Sequence, residues 1–147
     1  MGTDRQDPNL GILLFVAYRA LEQRAHDALV AAGITDITVA QARIAARIGP
    51  HGTRVSELAE QARVTKQSAG FLVEQLEATG YVERVPDPAD RRARLVRLTT
   101  RADKVVKTAN SEVDRVLAEW AEHVGPDRLR QVYETLLDLR EITDPWR

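Results

Sequence analysis

Apolar residues recur three and then four apart from Leu10 to Ala32, at Leu10, Leu14, Ala17/Tyr18, Leu21, Ala25 and Ala28/Leu29. That spacing predicts a helix with one buried face, capped by Asn9 and ended by Gly33. Ile12, Leu13, Phe15 and Val16 add apolar surface off the stripe. Either a second subunit covers it, or the helix is buried on two sides within one chain. Thr38-Val39-Ala40-Gln41 is a capping box that opens a second helix to about Ile48, before the turn Gly49-Pro50-His51-Gly52. A third helix is expected over Val55–Ala62, with Leu58 and Ala59 inward and Glu57 and Glu60 outward. Its small Ala59 and Ala62 let another helix cross closely. The turn Ala62-Arg63-Val64 leads to Thr65, an N-cap for a helix Lys66–Thr79 that Gly80 closes. Ala69, Leu72, Val73 and Leu76 are its core-facing residues.

The period then shortens to near two. Tyr81–Val85 and Arg94–Leu98 mix apolar and charged residues as half-buried strands do, and the polar segment Pro86-Asp87-Pro88-Ala89-Asp90-Arg91-Arg92-Ala93-Arg94 between them reads as a projecting loop. Thr99-Thr100 offers caps for a long helix to about His123, with Ala102, Val105/Val106, Ala109, Val113, Val116/Leu117 and Trp120 inward. Gly125-Pro126 breaks it, and a last helix carries Leu129, Val132/Tyr133, Leu136/Leu137 and Leu139 as far as Asp144-Pro145. The expected fold is therefore mainly α with a small two- to three-stranded antiparallel wing. Residues 53–99 form a winged helix-turn-helix lobe within a single domain spanning 1–147. Such a lobe puts one helix in a DNA major groove and a hairpin beside it.

Charge sharpens this picture once it is divided along the chain. The net value is -1, yet residues 1–62 carry 6 basic and 7 acidic groups, 63–101 carry 8 and 5, and 102–147 carry 7 and 10. Screening confines phosphate attraction to about 8 Å at physiological salt, so the local +3 of the middle segment outweighs the sum. Within it, Thr65, Lys66, Gln67, Ser68 and Gly70 open the fourth helix. Lysine can donate to guanine O6/N7 or to phosphate, glutamine can pair with adenine N6/N7, and the free N–H groups favour phosphate oxygens. A plain solvated helix start would look similar. In the wing, Arg91, Arg92 and Arg94 suit a minor groove or phosphates, and Asp90, two residues before Arg92, is expected to orient that guanidinium.

Other chemistry finds little footing. With no cysteine, disulfides, thiolate metal sites and thiol redox switches are excluded. His26, His51 and His123 lie on separate segments without an i, i+3 or i+4 pairing; they read as surface histidines, since a zinc site would need them to meet carboxylates in the fold. No glycine-rich phosphate loop, Gly-x-Ser-x-Gly elbow or His-Glu-x-x-His occurs, so no catalytic residue, cofactor or metal is assigned. No apolar run approaches a membrane span and Met1–Asn9 lacks a signal-peptide plan, which predicts a soluble cytoplasmic protein.

Ser56-Glu57-Leu58-Ala59, Leu76-Glu77-Ala78-Thr79-Gly80-Tyr81-Val82-Glu83-Arg84, Asp87-Pro88-Ala89-Asp90-Arg91-Arg92 and Leu98-Thr99 together resemble the MarR family of bacterial transcription regulators. The resemblance implies a triangular homodimer in which residues 9–33 and 100–143 interlock as dimerisation helices and two winged lobes straddle a palindromic operator. It implies Arg92 in the minor groove, supported by Asp90. It also implies a repressor that releases DNA when a small aromatic or anionic effector enters a cleft between the dimer helices and the lobe. The chain departs from many relatives at Lys66-Gln67-Ser68-Ala69-Gly70-Phe71, where they carry hydroxyl residues and an arginine; Phe71 offers a base no hydrogen bond. Lacking cysteine, it is no thiol-based peroxide sensor. A winged-helix module used only for protein contacts is the alternative.

Overall fold

The computed structural model describes residues 7–146, so the first six residues of the Met1–Asn9 stretch lie outside it. Helix α1 runs from Leu10 to Ala31, with Asn9 accepting the Ile12 N–H at 3.0 Å as its cap. Helix α2 covers Val39–Ala45; both arms of its capping box form, Thr38 Oγ1 taking the Gln41 N–H at 3.1 Å and Gln41 Oε1 the Thr38 N–H at 3.0 Å. It stops three residues short of Ile48. There the N–H groups of Arg47 and Ile48 reach back to Ile44 and Ala45, the i→i−3 tightening of a helix end.

Helices α3 (Val55–Ala62) and α4 (Lys66–Ala78) cross through a turn in which Arg63 adopts the left-handed conformation, φ 56°. The core sits where they meet. Leu58, Ala59, Ala69, Val73 and Leu76 are buried together with Leu29 of α1, Ile44 of α2 and Val96 of the wing. Burying each of the larger side chains stabilises the fold by about 1.5–3 kcal/mol. Inside this core, Gln41 is satisfied by an amide-to-amide hydrogen bond to Gln75 of α4 at 3.0 Å.

Strands β1 (Val82–Asp87) and β2 (Asp90–Leu98) form an antiparallel hairpin, Val82 opposite Leu98 and Pro86 opposite Arg94. Only Pro88 and Ala89 make the turn, so most of the expected nine-residue loop is extended strand. The pairing jumps from Pro86–Arg94 to Asp87–Asp90, which leaves Arg91, Arg92 and Ala93 on a bulge. Bulges of this kind re-aim side chains at a sheet's rim. Thr53 adds a single bridge to Val96, its N–H donating at 2.8 Å and its carbonyl accepting at 2.9 Å. Gly52 allows that approach: a Cβ there would stand 2.9 Å from the Cβ of Leu95, and its φ is +92°.

A short 3₁₀ turn, Thr100–Ala102, leads into α5 (Asp103–Val124), and α6 follows from Pro126 to Thr143. Thr99 was expected as a cap; its hydroxyl instead donates to the Gly80 carbonyl, tying the end of the wing to the end of α4. Arg24 of α1 is held between Glu112 and Glu119 of α5, and Arg43 of α2 grips Glu22 of α1 through two bonds of 2.6 and 2.7 Å. These pins act on the carboxyl-terminal half of α1. From Leu10 to Ala20 every residue is exposed, Leu10 at 67%, and along α6 every residue from Arg130 to Thr143 is exposed as well. The first half of the stripe on α1 and the stripe on α6 beyond Leu129 therefore do not bury within their own chain, whereas Leu21, Ala25 and Leu29 do so partly or fully. Among the described residues no helix is long and apolar enough to cross a membrane.

Candidate nucleic-acid interface

Thr65 caps α4 by accepting the Ser68 N–H at 3.0 Å, and its hydroxyl donates to Ser68 Oγ at 2.9 Å. The two hydroxyls thus form one preorganised pair at the helix mouth. Lys66, Gln67 and Ser68 are exposed and Gly70 is half-buried, while Ala69 and Val73 turn into the core. Lys66 and the neighbouring Arg63 have no ion pair or side-chain hydrogen bond among the described residues. Two cations therefore flank the free N–H groups of a helix start, where a phosphate is favoured.

Across the hairpin, Arg91, Arg92 and Arg94 are likewise exposed and, among the described residues, their side chains are unpaired. The other arginines of the lobe are committed: Arg84 to Glu77 at 3.6 Å, Arg97 to Glu83 at 2.7 Å, and Arg54 to Asp87 at 2.6 Å. Asp90 behaves differently from expectation. Its Oδ1 accepts the backbone N–H of Arg92 at 3.0 Å, and its Oδ2 lies 4.0 Å from Arg54, so it shapes the turn and does not grip the Arg92 guanidinium. No hydrogen bond or ion pair among the described residues links this group to the start of α4.

Nothing local in the sequence marks Arg54, because its partner is 33 residues away. It donates through Nε at 2.9 Å and Nη2 at 2.6 Å to Oδ2 of Asp87, whose Oδ1 accepts the Ala89 N–H at 2.9 Å. Asp87 is buried. The Ala89 N–H first, and then the Arg54 guanidinium, hold its carboxyl below the usual range, and the same pairing raises Arg54. The amino end of α3 thereby clamps the tip of the hairpin.

Behind the lobe, a cavity of about 310 Å³ opens between α1, α2, α4 and α5. Leu29, Ala45, Leu76, Val105 and Ala109 line it, with the Tyr81 ring as one wall and Asn110 as a polar side chain that has no partner among the described residues. The Tyr81 hydroxyl donates to Asp36 at 2.6 Å; burial first, and then that hydrogen bond, raise its pKa. Arg101 lies over the ring at 4.8 Å and reaches the same Asp36 at 3.1 Å. A second, apolar cleft between α1, α5 and α6 is lined by Leu14, Tyr18, Leu21, Trp120, Tyr133 and Leu136. The histidines stay apart: His51 and His123 are exposed, whereas His26 is half-buried with Nδ1 unpartnered, which corrects its reading as a surface residue. No group of three or more His, Asp or Glu that could hold a metal occurs among the described residues.

Two crossed helices with a paired wing, and unpaired cations on both, define a winged helix-turn-helix DNA-binding protein. A model of the MarR family matches residues 35–93. The HTH-type transcriptional regulator FarR of Neisseria gonorrhoeae is 28% identical over 145 residues, 98% of this chain and 97% of that protein. The uncharacterized HTH-type transcriptional regulator YfiV of Bacillus subtilis (strain 168) is 29% identical over 102 residues, 69% of this chain, and the match spans 64% of YfiV's length. The crystal structure of NadR in complex with 4-hydroxyphenylacetate superposes with a TM-score of 0.71 at 26% identity, over 97% of this chain and 99% of that one. Over residues 35–93 the chain is thus similar to the MarR family, and over nearly its whole length to the transcriptional regulator FarR and to NadR. The matched family and these relatives are transcriptional regulators, not enzymes.

Proposed function

We propose that this chain is a homodimeric repressor that binds a palindromic operator and lets go when a small effector enters the cavity behind Tyr81. The observation that carries the DNA contact is the set of exposed, unpaired cations, with Lys66 at the mouth of α4 and Arg91, Arg92 and Arg94 on and beside the wing bulge. Thr65, Gln67, Ser68 and Gly70 complete the groove-facing turn, and Asp90 holds the wing turn in shape. Exposed apolar surface along α1 and α6 supports the second copy: a helix with no buried residue, as α6 is, has too little packing to persist alone.

The cavity's walls are mostly apolar, with Asn110 among them, and carry no charged side chain, so a small aromatic guest suits it better than a multiply charged one. The 4-hydroxyphenylacetate bound by NadR is a guest of that kind. Binding to the DNA upstream of the protein's own gene, measured across a salt series, tests the reading. Phosphate contact predicts log affinity falling with log salt by about 0.9 per phosphate neutralised. A flat line would leave the wing as a protein-contact device and overturn the assignment.

A further inference from the structure

Phe71 holds an aromatic ring 60% exposed on α4. Helix geometry sets its direction: with Ala69, Val73 and Leu76 buried beneath, Gln67, Phe71 and Glu74 occupy the opposite face. The ring therefore adds nothing to the core. Neither does its neighbour Gly70. Glycine is among the poorest helix formers, Gly70 has no positive φ, and a Cβ built on it would meet nothing within 4 Å. Neither backbone conformation nor internal packing calls for a glycine there. Two residues that weaken the helix or its solvation sit side by side, on the face that the operator reading lays into the major groove. The unpaired Arg63 and Lys66 stand at the amino end of the same helix, beside that face, so its near end attracts a polyanion.

Resting on that reading, we propose that Phe71 reads one thymine in each half-site through its C5-methyl group, and that Gly70 leaves clearance for the DNA beside the ring. Among the base edges of the major groove, only thymine presents an apolar group, and a phenyl ring can cover a methyl where it could satisfy no donor or acceptor. Gln67 stands one turn earlier on the same stripe, placed for adenine N6/N7, so the outward face reads A·T-rich sequence by two different means.

The test uses the full chain and duplexes it selects from a random-sequence pool. Each thymine is then replaced in turn by deoxyuridine, which deletes the methyl group alone. One uracil position per half-site is expected to weaken binding about fourfold, the worth of one methyl-sized apolar contact. The same swap is expected to have no effect on Phe71→Ala, which should fold normally because its ring is exposed. Gly70→Ala is expected to raise the melting temperature of the free protein while weakening every selected duplex. Selective binding that ignores all uracil swaps, or shows the same sensitivity in Phe71→Ala, would overturn the inference; wild-type affinity in Gly70→Ala would remove the clearance argument. A pool that never enriches would overturn the operator reading, and this inference with it.

Discussion

Arg54 stands at the N-cap of α3, a place that favours Ser, Thr, Asp or Asn because their oxygens accept the helix's free N–H groups. A guanidinium accepts nothing, and Arg54 makes no cap bond; it spends its donors on Asp87 at the wing tip. Arg54→Thr should therefore help the helix and loosen the hairpin. The expected outcome is a lower melting temperature at neutral pH, since buried Asp87 loses its cation, with weaker operator binding and little further loss when Arg92→Ala is added. Arg92→Ala alone should weaken binding roughly tenfold, in line with the loss of a charge-assisted contact, and leave the dimer intact. A double-mutant cycle by fluorescence anisotropy measures the coupling; additive losses would show Arg54 acting apart from the wing. Asp87 adds a pH dependence with a definite sign. Its folded pKa is depressed, so its stabilisation is complete above the unfolded value of about 3.9 and is lost as pH falls through the lower folded value. Asp87→Asn should flatten the acid limb of the stability curve and leave the neutral region's slope unchanged.

Among the elements, α6 is the least supported, leaning on α5 with none of its residues buried. In the proposed dimer its apolar face and that of α1 cover each other across the two copies. Leu136→Asp is expected to give a monomer in sedimentation velocity and to abolish operator binding, while α3, α4 and the wing stay folded. A dimer that survived it would place the contact elsewhere. The elements also show what could be read from the chain beforehand. Caps at Asn9, Thr38 and Thr65 were legible because each closes within three residues, and the apolar stripes of α1 and α6 were legible as stripes. Where those stripes bury was not, since periodicity records a face and says nothing of which chain covers it. Wing length escaped for a related reason: the one residue buried at the hairpin tip is a carboxylate, Asp87, so no apolar alternation marks the strands beyond Val85. Thr99's bond to Gly80 and Asp87's to Arg54 span 19 and 33 residues, beyond any local rule.

For the whole molecule, the proposed arrangement places two lobes about a shared axis, and their recognition helices should enter successive major grooves. Footprinting is expected to show paired half-sites one helical turn, roughly 34–36 Å, apart; a lone half-site would contradict the symmetry. The cavity lies where each lobe meets α1 and α5, so filling it should mimic neither state of the DNA contact but silence the response. Ala109→Phe is expected to retain operator binding and lose release by aromatic compounds, read by anisotropy with and without 4-hydroxyphenylacetate as the probe. The homeless last helix has a mass-action consequence too. If only the pair is complete, the quantity of competent regulator in dilute conditions follows the square of the chain's abundance, and a twofold fall in synthesis becomes a fourfold fall in promoter-ready protein. A single unburied helix would then give the gene a threshold.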